Sequence, residues 1–385
     1  MNKQITEIVE RVRTVVGSEP VPLHGASLNA KDIEIVKECM ESGFVSSVGK
    51  YVAEFEHKIS RYTQARHAVA VVNATSGLSL ILSALGCDCD SDVILSPISF
   101  VATLNSVFHV GANAKFVDIE SKTYGLCPEK LRDYLSQNAV IKNGVTKNKE
   151  TGRRIFGVIG VHVFGHMCRI NEIKNVCDEF SIHLIEDAAE ALGTFSGKQH
   201  AGTVGIAGVV SFNGNKIITT GGGGMILTHN EMLANKLRHL STTAKIDHPW
   251  EYDHDQIGYN LRMPNINAAL GVSQLNSLDD RIEQKRLLNQ KYVKAFKGCD
   301  FATVLSFAST RRSNYWLQAL ILRSDITQYR NQLLQELNQV YLGSRALWKP
   351  LDQLKLTSKT QTQSLPNSDN AYRTIINIPS DTYAK

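Results

Sequence analysis

The sequence predicts an α/β protein with a mostly parallel, doubly wound sheet, followed by a smaller α+β unit. Apolar runs of strand length alternate with helical patterns from His67 onward, and only short turns separate them. The last third changes character, to one long helical pattern and then isolated strands and helices. At 385 residues the chain can bury a large core, which places one large domain at residues 1–265 and a smaller one at 266–385.

Taken in order, Thr6 to Val16 reads as an amphipathic helix, with Ile8, Val9, Val12 and Val16 on one face and Pro20 and Pro22 ending it. Two further helices, Lys31 to Glu41 and Tyr51 to Tyr62, flank the small-residue loop SGFVSSVGK. The alternation then runs strand His67–Val72, helix Gly77–Leu85, strand Val93–Leu95, helix Phe100–Val110, strand Lys115–Asp118. Leu135 to Arg154 is polar and reads as a surface hairpin or loop before the strand Ile155–Val161. Helix Ile170–Phe180 leads to strands at Ile182–Ile185 and Val209–Phe212, then to helix Glu231–Leu240 and an aromatic, charged loop, Thr243–Tyr259. A long helical pattern from Ile266 to Phe296, strand-like Asn314–Leu322 and a helix near Ile326–Val340 complete the chain.

Composition removes several classes of function. Lys plus Arg 42 against Asp plus Glu 37 gives only +5, and the basic residues are scattered, so neither nucleic acid nor an acidic membrane is an expected partner. The one basic run, Lys142 to Arg154, reads as a solvated loop. No apolar run approaches the roughly 20 residues that span a bilayer, and the polar start MNKQITEIVERVR lacks a signal-peptide core, so a cytoplasmic protein is expected. Seven cysteines, an odd number, fit reduced thiols. Cys87-Asp-Cys89 has no second pair at ligand spacing, so no metal is expected.

The chemistry concentrates between Ile182 and Met225. An apolar run ends on Glu186 and Asp187, the way a buried strand delivers acids to a sheet edge. A second strand leads through Asn213-Gly-Asn215 to Lys216, alone in its segment, and then to Gly221–Gly224, where backbone can approach closely. A strand-end acid and a lone lysine suit pyridoxal phosphate (PLP), which needs a carboxylate at its ring nitrogen and an amine for a Schiff base. A structural cap and a solvated lysine would read the same way. The turn Asn73-Ala-Thr75-Ser76-Gly77 joins a strand to a helix start, and is either an anion site or a plain N-cap.

The strings NATSGLSL, SPISFVATLNSVFHVGANAKFVDIE, VHVFGH, EDAAEALG, SFNGNK and GYNLRMPNINAALGVSQL decide between these readings. In this order they resemble the DegT/DnrJ/StrS family of PLP-dependent sugar aminotransferases, over roughly Val21 to Pro379. The resemblance implies PLP fold type I, aspartate-aminotransferase-like, with Lys216 as the Schiff-base lysine and Asp187 at the pyridine nitrogen. It assigns Thr75, Ser76 and Ser211 to the cofactor phosphate and Phe100 to the face of the ring. Asn260, in Gly258-Tyr-Asn-Leu-Arg262, would reach across a homodimer to the partner's phosphate. His162, Arg262 and Arg345 would serve the substrate, Arg345 being equally suited to covering Trp348. The chain departs from the family pattern at Glu190, where many members carry Gln, at Gly222, where they carry Glu, and at Ala346 in place of Pro. An ionised Glu190 would repel the cofactor's phenolate, so it is either protonated or turned to another donor.

The implied partners are a nucleotide sugar and L-glutamate. The helix before Val21, the insertion 135–154, EDAAEALG and TTGGGG resemble the subgroup acting in legionaminic acid or bacillosamine synthesis, which aminates C4 of a nucleotide-linked 4-keto-6-deoxy-N-acetylhexosamine. The expected acceptor is UDP-4-keto-6-deoxy-N-acetylglucosamine, its diphosphate met by cations from the loop near Lys50 or from Arg262. A different keto-sugar, GDP-linked or 3-keto, is the alternative. Lys216 argues against the related 3-dehydratases, which carry His at that position. A non-catalytic sensor would carry a DNA-binding domain, for which the first 20 residues are too short.

Overall fold

The computed structural model describes residues 3–307, 311–358 and 364–382. Among these, nine strands form the central sheet. Its main path runs His67–Val71, Gly224–Thr228, Ala207–Ser211, His183–Asp187, Arg154–Val161, Ser91–Leu95, Asn113–Phe116. Gly224–Thr228 is antiparallel to both neighbours, and the pairings beyond Ala207–Ser211 are parallel. Helices cover both faces, so these strands are almost continuously buried, which is why they read as apolar runs rather than alternating ones. The polar insertion is a hairpin, Ala139–Lys142 with Val145–Asn148, joined to the sheet where Lys147 pairs with Arg154.

Helix starts differ from the sequence reading where a side chain caps them. The helix expected from Gly77 begins at Ala74, because the Asn73 side chain accepts the N–H of Ser76 at 2.8 Å and sets the first turn three residues earlier. The helical pattern expected from Ile266 to Phe296 is two helices, Asn265–Leu275 and Leu278–Ala295.

The C-terminal region carries a four-stranded sheet in the order Ala302–Val304, Gln318–Leu322, Ile375–Ile378, Arg345–Ala346. Two elements cross the boundary drawn at 265/266. The N-terminal helix Lys3–Val16 buries Ile5, Ile8, Val9 and Val12 in the C-terminal core, against Leu288, Tyr292, Leu333 and Leu337. Helix Asn265–Leu275 instead packs on the large layer through Ala268, Ala269 and Val272, in one cluster with Phe55. Among the described residues no helix is long and apolar enough to cross a membrane.

The pleat sends neighbouring side chains to opposite faces, and at the end of His183–Asp187 it separates two acids. Glu186 turns into the protein, where it is fully buried and accepts the N–H groups of Gly202 at 2.9 Å, Val204 at 2.6 Å and Gly205 at 2.7 Å. His162, also fully buried, lies with Nε2 2.9 Å from Glu186 Oε2, while its Nδ1 accepts the N–H of Cys168 at 3.3 Å. That leaves Nε2 as the protonated nitrogen, donating to the carboxylate. Burial pushes the Glu186 carboxyl up, but the bonds from His162 and the backbone outweigh it and hold it below the usual carboxylate range. This stabilisation is therefore present above the unfolded carboxyl pKa and lost as pH falls through the lowered folded one. Glu186→Gln presents an amide to backbone donors and should cost about 3 kcal/mol of stability at neutral pH, read by denaturant unfolding. A change under about 1 kcal/mol would contradict this account of the strand end.

Candidate active site

Parallel pairing puts Val161 opposite Asp187, so these two strands finish at one level, and Asp187 lies opposite Val209, two residues before the third strand ends at Ser211. A cavity of about 260 Å³ opens there, closed from the C-terminal region by Trp316, Arg345 and Trp348. Ligands in such sheets gather at this edge. A wider cleft of about 870 Å³ runs along Leu278–Ala295, beside Glu283, Arg286 and Lys294. It lacks a buried amine facing a buried acid, so chemistry rather than size picks out the smaller cavity.

Asp187 is the acid on the cavity face. Its Oδ2 accepts the hydroxyl of Thr103 at 2.6 Å and its Oδ1 the N–H of Ala189 at 3.1 Å. Past Ala207–Ser211 the chain turns so that the N–H of Lys216 meets Asn213 O at 2.9 Å, and the lysine side chain enters the cavity. Its Nζ lies 3.9 Å from the Trp316 ring centroid and 3.6 Å from Glu190 Oε1. Burial lowers the Lys216 pKa, partly countered by Glu190 and Asp187.

Glu190 faces another donor as well as Lys216. Its Oε2 accepts the N–H of Phe164 at 2.9 Å, and its carbonyl accepts Asn314 Nδ2 at 2.8 Å. Phe164 holds a left-handed φ of 57° to present that N–H, a conformation that costs a non-glycine residue and recurs at functional sites. Burial raises the Glu190 pKa against the pull of Lys216 and of the Phe164 N–H.

The other end of the cavity is built for an anion. Asn73, Ala74 and Thr75 line it at the start of helix Ala74–Ala84, whose first N–H groups have no intrahelical acceptor, and Ser211 adds a hydroxyl. The neighbouring strand must start with glycine: a Cβ on Gly224 would meet Ala74 N and Asn73 C at 2.7 Å and push the turn aside. Gly222 is different. A Cβ there would meet Val72 O at 3.9 Å, so packing does not exclude the side chain many relatives carry.

Thr75, Phe100, Asp187, Glu190, Ser211, Lys216 and Arg345 thus share one cavity. Four expected residues stand off its wall. His162 is consumed by Glu186 behind the sheet. Arg262 NH1 donates to Glu56 Oε1 at 2.8 Å and Ala70 O at 3.2 Å, which anchors the loop to the first strand. Ser76 gives its N–H to the Asn73 cap. Asn260 is exposed, paired with Thr242 across an isolated bridge. Thr103 and Trp316 went unread. Thr103 lies one helical turn past Ser99, a spacing visible in the sequence, whereas Trp316 meets Asn215 O through Nε1 at 2.7 Å across 101 residues.

PLP offers an aldehyde, a ring nitrogen and a phosphate, and the cavity opposes them with a buried amine, a carboxylate and a helix N-terminus with hydroxyls. The residues fit the group. The DegT/DnrJ/EryC1/StrS aminotransferase family matches residues 26–383. The chain belongs to this family. It is 31% identical over 361 residues to GDP-perosamine synthase of Vibrio cholerae, covering 94% of each protein. It is 28% identical to the UDP-4-amino-4,6-dideoxy-N-acetyl-beta-L-altrosamine transaminase of Campylobacter jejuni, covering 92% of this chain and 90% of that protein. Helicobacter pylori PseC shares the fold, with a TM-score of 0.86, 23% identity and 95% of each chain covered. The chain is accordingly a PLP-dependent aminotransferase. When bound, PLP supplies the electron sink and the carbonyl that transamination requires.

Lys216→Ala is expected to abolish turnover and the visible cofactor absorbance, measured on purified protein reconstituted with PLP; retained turnover would remove Lys216 from the site. Glu190→Gln should keep the fold. It replaces an ionisable carboxyl beside Lys216 with a neutral amide, so the visible band of the PLP-loaded protein should titrate at lower pH. An unchanged titration would mean Glu190 does not face the cofactor.

Proposed function

We propose that this aminotransferase moves an amino group from L-glutamate to C4 of a nucleotide-linked 4-keto-6-deoxy sugar in bacterial surface-glycan synthesis, with UDP-4-keto-6-deoxy-N-acetylglucosamine as acceptor. The observation that carries it is the single cavity holding Lys216, Asp187, Glu190 and Arg345. Lys216 would hold the cofactor and, when released, would take the proton from the donor's α-carbon, a role that the lowering of its pKa by burial favours. Asp187 accepts the ring N–H. Arg345 stacks on Trp348, guanidinium to ring centroid 5.5 Å, with a long 3.5 Å bond to Asn377, which leaves its charge available to the donor's carboxylate.

The cations expected to meet the diphosphate are already paired, Lys50 with Glu38 and Arg262 with Glu56, both at 2.8 Å. A second subunit is therefore part of the proposal. The loop that ends at Asn260 presents Trp250, Tyr252 and Ile257 at 77%, 80% and 90% exposure, an apolar surface suited to a homodimer in which Asn260 serves the partner's phosphate site. Mixing Asn260→Ala with Lys216→Ala should restore activity in hybrid dimers, and a fully active monomer in sedimentation would contradict the shared site.

GDP-linked 4-keto-6-deoxymannose is the second reading, favoured by the likeness to GDP-perosamine synthase; the altrosamine transaminase supports the UDP-linked one. Comparing kcat/KM on both sugars and on a 3-keto sugar decides. The proposal predicts preference for the UDP-linked substrate. Tenfold preference for either other, about 1.4 kcal/mol of transition-state binding, rejects it and leaves the aminotransferase in place.

A further inference from the structure

Behind Asp187 lie two hydroxyls that the reaction as described does not use. Thr103 and Ser99 are 1% and 2% exposed, and Thr103 Oγ1 lies 2.6 Å from both Asp187 Oδ2 and Ser99 Oγ. An ionised carboxylate only accepts, so the single hydroxyl proton of Thr103 goes to Asp187. The bond between the two hydroxyls then has one possible direction, with Ser99 donating to Thr103. A helical Thr commonly returns its hydroxyl to the carbonyl four residues back; here residue i−4 is Ser99, and the contact is to its side chain instead. Ser99 itself lines the cavity, so the chain of hydroxyls runs from the cavity wall to the acid.

We propose that Ser99 and Thr103 form a one-way hydroxyl relay that fixes the plane of the Asp187 carboxylate, making Thr103 a positioning residue for transamination. This rests on Asp187 serving the cofactor's ring nitrogen. The geometry supports it in two ways. Thr103 holds Oδ2 and the N–H of Ala189 holds Oδ1, so donors on different oxygens stop the carboxylate from rotating and leave its remaining lone pairs for the cavity. The 2.6 Å contact is in the range of a charge-assisted bond, and a donated proton from Ser99 polarises Thr103 and strengthens that bond further. An acid aimed to within a fraction of an ångström matters because misplacement by about 1 Å can cost about a hundredfold in rate.

The test uses the PLP-loaded protein and five variants, reading kcat, KM for donor and acceptor, melting temperature, and the PLP dissociation constant on reconstitution. Thr103→Val should lower kcat about tenfold or more with both KM values nearly unchanged, and should weaken PLP retention; Thr103→Ser, which keeps the hydroxyl, should restore both. Ser99→Ala should lower kcat several-fold alone and add nothing in the Thr103→Val background, since a relay broken once cannot be broken again. A Thr103→Val protein with wild-type kcat and PLP affinity overturns the relay, even if its melting temperature falls, because that pattern is packing alone. Additive effects of the two substitutions overturn it as well. If Thr103→Val does not fold, Ser99→Ala decides, and unchanged kcat and PLP affinity in that variant overturn the proposal. Asp187→Asn separates the two ideas: if it too leaves kcat and cofactor retention intact, the reading of Asp187 fails, whereas if it alone abolishes them, only the relay does.

Discussion

Two carboxylates at the end of one buried strand must leave by opposite faces of the sheet, and much of the rest of the site follows from that divergence. Glu186 would be intolerable in the interior without partners; three backbone N–H groups and His162 satisfy it, and in doing so they fix the loop at 202–205 and the end of the adjoining strand. With that end anchored, Asp187 has one face left to it, the one toward the cavity at the level of Val161 and Val209. The carboxylate on the cavity side is thus placed by the one that is hidden.

Beyond that edge the site is assembled by contacts across long stretches of chain. Trp316 roofs Lys216 and bonds the backbone before it, Asn314 holds the Glu190 carbonyl, and Arg345 brings a guanidinium to the same space. Burial moves Lys216 and Glu190 toward their neutral forms together. At 3.6 Å they are close enough to interact as charges but not tied by a tight bond, which would suit the proposed lysine that alternates between holding a cofactor and acting as a base.

How much was legible in the sequence follows the range of the interactions. The parallel sheet was readable because its strands are buried on both faces and so apolar along their length. Asp187, Lys216, Thr75 and Ser211 were readable because each sits at a strand end or helix start, within a few residues of the turn that places it. His162 and Arg262 lie off the cavity, and the sequence did not show this, for the converse reason. Each has a functional-looking neighbourhood, and the acid that claims it, Glu186 or Glu56, lies 24 or 206 residues away. The N-terminal helix shows an apolar stripe but not its partner, which is the C-terminal core. Glu190 was visible as a departure from pattern, while the Phe164 N–H that stabilises it needs a left-handed turn no local propensity announces.

The central claim is that the cavity beneath Trp316 holds pyridoxal phosphate on Lys216. Borohydride reduction of the PLP-loaded protein, followed by proteolysis and mass mapping of the pyridoxyl group, tests it directly. The account predicts a single modified peptide carrying the label on Lys216, with loss of the visible absorbance. Label on any other lysine, or reduction that leaves the absorbance and activity intact, would contradict it.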